Sequence, residues 1–115
     1  MNARSKGLGL VRQVKIRLRN LGYLVEGPGY STKFFNGRMN AVHSDFFGVY
    51  DLMAYRLGFI TGHQVSTLSN KASKCKNLKD NGLAGYVWCH VERGDWRIWF
   101  VDTDGQEEEI FEENL

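Results

Sequence analysis

The sequence predicts one α/β (α+β) domain in which a small mixed β-sheet of four to five strands is flanked by two helices. Its length of 115 residues suits a single hydrophobic core. The apolar fraction of 43% and the single proline are typical of a globular chain and exclude a disordered one. Two stretches with helical periodicity alternate with short strand-like runs, and this order favours helices packed against a sheet.

The first third of the chain predicts a helix, a short strand and a loop. Apolar residues recur every three or four positions over residues 7–21, which is the spacing of one helical face. Gly22 follows as a typical C-terminal cap, and residues 23–25 then favour a strand. Residues 27–44 are rich in glycine, serine and asparagine and have no sustained period, so they predict a loop or a ragged hairpin.

The remaining elements are two pairs of strands with a helix between them. Strands over 49–56 and 59–66 enclose Leu57-Gly58, which has the length and chemistry of a tight hairpin turn. A narrow apolar stripe over 69–80 predicts the second helix. The last two strands are predicted over 83–91 and 96–101.

Charge is distributed unevenly along the chain. The whole chain has 15 Lys and Arg against 13 Asp and Glu, for a net charge of +2. Residues 1–100 hold all 15 bases but only 6 acids, whereas residues 101–115 hold 7 acids and no base. We therefore expect one basic domain over 1–101 and an acidic C-terminal tail over 102–115, with a polyanion as the partner of the basic body.

Several classes of protein are disfavoured by what the sequence contains. Cys75 and Cys89 form no CxxC pair, so a disulfide framework or a zinc site is not expected. His43, His63 and His90 lack metal-ligand spacing and are expected at the surface or in loops. No apolar run is long enough to span a membrane, so we expect an intracellular, cytoplasmic protein without a membrane partner.

Two polar residues interrupt the apolar strands of the first predicted strand pair. Asp51 must be paired, hydrogen-bonded or bound to a metal to offset its desolvation, and Gln64 is the analogous intrusion on the adjacent strand. If the strands pair, the carboxylate, the amide oxygen and the Val65 carbonyl can converge on one hard cation. The alternative is a structural carboxylate that pairs with Arg56 or His63.

The motif residues resemble those of the PD-(D/E)XK nuclease superfamily, which has a restriction-endonuclease-like core. Residues 45–51 read Asp-Phe-Phe-Gly-Val-Tyr-Asp, residues 64–66 read Gln-Val-Ser, and a Ser/Lys-rich helix follows. This D-x-F-G-x-x-D and Q-V-S pattern is most similar to small phage-type nucleases and Holliday-junction-resolvase-like proteins. The resemblance covers residues 8 to about 101 and implies Mg²⁺- or Mn²⁺-dependent hydrolysis of DNA.

The resemblance also assigns roles to individual residues. Asp51 falls on the motif aspartate, Gln64 on the second acidic position, and Ser66 on the position of the usual lysine. An amide oxygen can still ligate Mg²⁺, although with one negative charge fewer. Asp45 is a candidate for the missing carboxylate. A lysine of the second helix is expected to replace the motif lysine, and Lys76 is the preferred candidate.

Basic and hydroxyl side chains on both predicted helices are candidates for contact with DNA phosphates. Their alternative role is an ordinary solvated surface, and for the serine a helix cap. The candidates on the two helices are Arg12, Lys15, Arg19, Ser69, Lys71, Lys74 and Lys79.

The sequence therefore favours a metal-dependent endonuclease that acts on DNA, including branched or structured DNA. A non-catalytic nucleic-acid-binding module that kept the nuclease fold is the first alternative. A protein-interaction domain that uses the acidic tail is the second. The resemblance leaves a homodimer open, because a two-fold pair of such domains would bring two sites to two strands.

Overall fold

The computed structural model describes the backbone of residues 3–28, 30–35, 38–43 and 46–115, and the side chains of residues 7–28 and 46–115. Its two helices are α1 (Ala3–Asn20) and α2 (Lys71–Asp80). Its strands are β1 (Leu24–Glu26), β2 (Tyr30–Phe35), β3 (Arg38–His43), β4 (Leu52–Arg56), β5 (Phe59–Thr67), β6 (Gly85–His90), β7 (Trp96–Val101) and β8 (Glu107–Ile110). Within these ranges, no helix is both long and apolar enough to cross a membrane.

The main sheet has six strands in the order β1-β4-β5-β6-β7-β8. Neighbouring strands are antiparallel except for β5 and β6, which are parallel and are joined through α2. The prediction of a mixed sheet flanked by two helices is confirmed, but the expected count of four to five strands is wrong, because β8 adds a strand at the edge. Strands β2 and β3 form a separate two-stranded antiparallel sheet, so the hairpin alternative for residues 27–44 is the one found.

The two helices cover opposite faces of the sheet. Helix α1 packs its predicted apolar stripe onto one face, in a cluster that includes Val14, Leu18 and Trp88. Helix α2 packs Leu78 onto the other face, against Val87 and its neighbours. Successive residues of β6 therefore alternate between the two clusters, as the period of a strand requires. The result is a three-layer domain with the sheet in the middle.

The β4–β5 hairpin carries the motif residues, and its turn is the predicted one. Leu57 and Gly58 both have positive φ, of 54° and 86°, which is the conformation of a two-residue turn that suits the twist of a hairpin. Strand β4 begins at Leu52 and not at residue 49, because residues 46–50 form a turn closed by a bridge between Phe46 and Tyr50. Asp51 therefore lies just before the strand.

The acidic segment is an integral part of the domain and not a separate tail. Strand β8 pairs with β7 along the edge of the sheet. Glu109 accepts two hydrogen bonds from Arg97, each 2.8 Å long, and Glu107 pairs with Lys71 of α2. Leu115 is buried in the cluster beneath α1. The predicted boundary at residue 101 therefore separates two strands of one sheet.

Candidate functional site

The Asp51 carboxylate is held against the backbone of β5. Leu52 pairs with His63, so the residue before it lies across from Gln64. The backbone amide of Asp51 donates to the carbonyl of His63 at 2.9 Å, and the amide of Val65 donates to Asp51 Oδ2 at 2.8 Å. The side chain is only half-buried. A carboxylate is therefore fixed at the point where β4 begins, with part of its surface open to solvent.

Gln64 lies across from Asp51, with its side chain on the face that α2 covers. Only 2% of its surface is exposed. Its Nε2 donates to the Val49 carbonyl at 3.1 Å and lies 3.4 Å from Asn77 Oδ1 of α2. Its Oε1 is buried and has no hydrogen-bond partner within the part of the chain that the structure describes. The Gln64 side chain is thus held by hydrogen bonds of its Nε2, whereas its Oε1 accepts none from the described residues.

Ser66 shares this face of the sheet, because it follows Gln64 by two residues on the same strand. It is 7% exposed, and its Oγ has no hydrogen-bond partner among the described side chains and backbone groups. The structure therefore places Gln64 and Ser66 on one face of β5, with Asp51 across from Gln64 at the end of the hairpin. Gln64 and Ser66 each carry a buried oxygen without a partner among the described residues, which is uncommon in folded proteins.

The oxygen donors of this site fit a hard cation such as Mg²⁺, which proteins bind through one or two carboxylates, carbonyl oxygens and water. Asp51 offers a carboxylate and Gln64 an amide oxygen that lacks a partner. Across residues 46–115 and the other described ranges, no group of three His, Cys, Asp or Glu side chains is placed to hold a metal ion. Asp45, the candidate third ligand, lies outside the described residues.

The predicted metal contact of Val65 stays a prediction. Its side chain is buried in the cluster under α1, and its amide binds Asp51. Arg56 and His63, the alternative partners of the Asp51 carboxylate, make contacts elsewhere. Arg56 donates to the carbonyl oxygens of Leu21 and Leu115, and the imidazole of His63 faces the α1 side of the sheet.

Lys76, the preferred replacement for the motif lysine, lies on the outer side of α2. Its Nζ is 2.5 Å from Asp80 Oδ2, and three quarters of its side chain is exposed. The structure does not bring it to Gln64. Lys71 is also engaged, with Glu107 and with the ring of Trp99, whose centroid is 4.6 Å from its Nζ.

The other basic candidates lie on two opposite faces of the domain. Arg12 and Arg19 are exposed on α1, and Lys15 donates to the Gly27 carbonyl at 2.5 Å. Ser69 and Lys79 are exposed on the other side, in and beside α2. The sheet lies between the two helices, so these exposed residues of α1 and of the α2 region lie on opposite sides of the domain.

A pocket opens at the carboxyl end of β5, and sequence reasoning did not find it. It has a volume of about 300 Å³, and its lining joins the start of α1, the end of β5 and the start of α2. The polar part of its lining is Ser66, Thr67, Asn70 and Lys74. Ser66 and Lys74 are candidates from the sequence, for the motif-lysine position and for DNA contact, but their convergence depends on how α1 crosses the strand end.

His63 is the main error of the sequence-based expectation, which placed it at the surface. It is fully buried, its Nε2 is 2.8 Å from Thr61 Oγ1, and Trp88 Nε1 donates to its Nδ1 at 3.0 Å. Its ring also stacks on Tyr86, with the centroids 5.0 Å apart. Burial lowers the pKa of His63 to about 3. The histidine is therefore neutral at physiological pH and belongs to the core.

The two cysteines are free and buried, as the sequence suggested. Burial raises the pKa of Cys89 to about 12 and also raises the pKa of Cys75. A nucleophilic cysteine requires the thiolate. Neither thiol is therefore suited to covalent catalysis at neutral pH.

Comparisons of the chain with protein-family models, with curated proteins and with solved structures find no significant match.

Proposed function

We propose that this chain is a metal-dependent endonuclease of the PD-(D/E)XK type, which hydrolyses DNA phosphodiester bonds and acts on branched or structured DNA. One observation carries the proposal: Asp51, with its carboxylate at the Val65 amide, lies across from Gln64, whose Oε1 is buried without a partner in the described structure. Two residues with oxygen donors thus lie opposite each other at the open end of the β4–β5 hairpin. A buried oxygen with no partner is accounted for if a cation binds there.

The order of the elements also supports this proposal. A helix, a hairpin that bears Asp51 and Gln64, a second helix and further strands follow one another in the chain. This is the order that the resemblance to the nuclease superfamily implies.

Each residue of the proposed site would have its own role. Asp51 and Gln64 would hold Mg²⁺ or Mn²⁺, with the Val65 carbonyl as a third candidate ligand. When bound, the cation supplies a Lewis acid that lowers the pKa of a bound water and offsets charge on the phosphate. The Val65 amide keeps the carboxylate in place through its 2.8 Å hydrogen bond, and the Val49 carbonyl fixes the amide of Gln64. No lysine is held beside Gln64 in the described structure, so a lower rate than in nucleases with the motif lysine is expected.

A non-catalytic nucleic-acid-binding module is the second candidate, and a specific observation favours it. Asp51 and Gln64 each make a hydrogen bond to the backbone on the opposite side of the hairpin. These two bonds close the end of the β4–β5 pair and give both side chains a structural role without a metal. The basic surfaces of α1 and α2 would then bind phosphates alone.

The experiment that separates these functions is cleavage of single-stranded, duplex and four-way-junction DNA with Mg²⁺ or Mn²⁺. The test variant is Asp51→Asn, whose amide oxygen can still accept the hydrogen bond from Val65. We expect this change to reduce cleavage by at least about 100-fold. Removal of a residue that only hydrogen-bonds to a metal ligand costs about 10- to 100-fold, and Asp51 is proposed to be a ligand itself. Asp80→Asn is the matched control, because that carboxylate lies on the outer side of α2.

Each outcome assigns a function or removes one. Cleavage that is lost in Asp51→Asn and kept in Asp80→Asn supports the endonuclease. Wild-type protein that binds DNA with a steep salt dependence but never cleaves it favours the binding module. Cleavage that survives in Asp51→Asn contradicts the proposed site.

A further inference from the structure

The pocket at the carboxyl end of β5 combines three features that favour an anion. The first is its charge: Lys74 is half-buried in the lining, and none of the described residues that line the pocket is acidic. Lys74 makes no ion pair or hydrogen bond with the described residues around it, in contrast to Lys71 and Lys76 of the same helix. The Lys74 ammonium therefore has no counter-ion among the described residues and is available to an anionic ligand.

The second feature is the Ser66 hydroxyl. Ser66 is more than nine-tenths buried, lines the pocket and has no partner for its Oγ in the described structure. A hydroxyl can donate to a phosphate oxygen or accept from a protonated group. Because the pocket holds a cation and no carboxylate, donation to an anion is the role that the surroundings favour.

The third feature is the helical segment that begins here. A 3-10 turn over Leu68–Asn70 continues directly into α2, and neither Thr67 nor Asn70 caps a backbone N–H group with its side chain. The positive end of a helix without such caps favours negative charge. Thr67 Oγ1 lies 3.0 Å from Ser69 Oγ and accepts a hydrogen bond of 3.3 Å from Asn70 Nδ2, so the polar rim is ordered by its own contacts.

We propose that this pocket binds a phosphate group of the nucleic-acid substrate, with the Ser66 hydroxyl and the Lys74 ammonium as its ligands. The proposal rests on the proposed action on DNA for the identity of the ligand, but the pocket is distinct from the Asp51 carboxylate. Its volume of about 300 Å³ exceeds a phosphate group, so the sugar attached to that phosphate also fits. Leu10 and Val65 provide an apolar wall beside it.

The position of the pocket explains its value to a nuclease. Ser66 lies two residues after Gln64 on the same strand and the same face. A phosphate bound at Ser66 and Lys74 would therefore lie close to the phosphate at Asp51 and would fix the register of the strand. Positioning of this kind contributes to rate without any direct part in bond cleavage.

The test is a titration of the full chain with inorganic phosphate in the absence of divalent metal. Binding is monitored through the amide chemical shifts in nitrogen-15 NMR spectra. We expect saturable shifts at residues 66–70 and 74. Lys74→Gln should weaken this binding about 10-fold, and Ser66→Ala should weaken it several-fold, as expected for charge-assisted hydrogen bonds. Arg93→Gln is the control, because it removes an exposed positive charge from the β6–β7 turn.

Oligonucleotide binding then identifies the source of the phosphate. Tighter binding of a 5′-phosphorylated strand than of its 5′-hydroxyl counterpart, lost in Lys74→Gln, assigns a terminal phosphate. Equal binding of the two strands, weakened in both by Lys74→Gln, assigns a backbone phosphate. Either result supports the proposal, whereas binding that Lys74→Gln leaves unchanged overturns the assignment to nucleic acid.

The pocket and the nuclease activity can fail separately. Inorganic phosphate that shifts no amide at 66–74, or shifts them equally in Lys74→Gln, overturns the pocket even if cleavage depends on Asp51. Phosphate binding that responds to Lys74→Gln in a protein that cleaves no DNA supports the pocket and contradicts the endonuclease.

Discussion

Strand β5 carries buried polar residues on both faces of the sheet, and the two faces differ in how many hydrogen-bond partners these residues have. On the α1 side, His63 is fully buried, and both of its ring nitrogens have hydrogen-bond partners, Thr61 and Trp88. On the α2 side, Gln64 and Ser66 are almost as buried, but each leaves one oxygen without a partner in the described structure. The same strand thus holds a complete polar network on one face and an incomplete one on the other.

The difference separates residues that the fold explains from residues that it does not. A buried polar group with all its partners contributes to stability and needs no further role. A buried oxygen without a partner costs free energy, which a bound ligand can offset. On β5, the polar residue of the α1 face therefore supports the fold, and the two polar residues of the α2 face are those proposed to bind a cation and a phosphate.

The largest effect is expected from His63→Ala on the complete side. This change removes a packed ring, leaves Trp88 Nε1 without its acceptor and opens a cavity in the core. The free energy of unfolding should fall by about 3–4 kcal/mol, measured by urea denaturation at pH 7. A loss below about 1 kcal/mol would contradict the view that this network supports the fold.

The same histidine predicts a specific dependence of stability on pH. Trp88 is only a donor, so Nδ1 must accept, and a second proton on the ring would disrupt that contact. Burial lowers the pKa of His63 from 6.5 to about 3, so below pH 6.5 the unfolded chain binds a proton that the native chain does not. Stability is therefore complete above pH 6.5 and is lost as the pH falls toward about 3.

The size of this loss can be measured against a variant that does not titrate. The histidine should reduce the free energy of unfolding by about 2 kcal/mol between pH 7 and pH 5. His63→Asn keeps an acceptor for Trp88 and should lack this component. Parallel curves for the wild type and the variant over this range would show that the native histidine is protonated in the core.

The sequence predicted the elements whose signals are local. The α1 periodicity, the Leu57-Gly58 turn and the placement of Asp51 across from Gln64 all depend on residues that are close in the chain. Strand β8 was read as an acidic tail because consecutive glutamates do not alternate with apolar residues. Its glutamates are stabilised by distant bases. Lys71 pairs with Glu107, 36 residues later in the chain, and Arg97 pairs with Glu109, 12 residues later.

Only the candidate residues that belong to the motif over residues 45–66 could be predicted from the sequence. His63 was assigned to the surface because its partner Trp88 is 25 residues away. The pocket at the carboxyl end of β5 was missed because it needs α1 to cross the end of β5, which no local pattern records. Lys76 was favoured from its place in the motif, but helical geometry turns it outward, and Lys74 lines the pocket instead.

The smallest effect is expected from Ser66→Ala on the incomplete side, and its sign is the informative part. Because Ser66 Oγ is buried without a partner in the described structure, its removal should raise the free energy of unfolding by about 1 kcal/mol. Thr61→Val is the matched change on the other face of β5. It deprives His63 Nε2 of its partner and should lower stability by about 1 kcal/mol. A loss of stability in Ser66→Ala, measured by the same denaturation in phosphate-free buffer, would mean that its hydroxyl serves the fold. A gain together with weaker phosphate binding would mean that this serine is kept for its ligand at the expense of stability, as is common at functional sites.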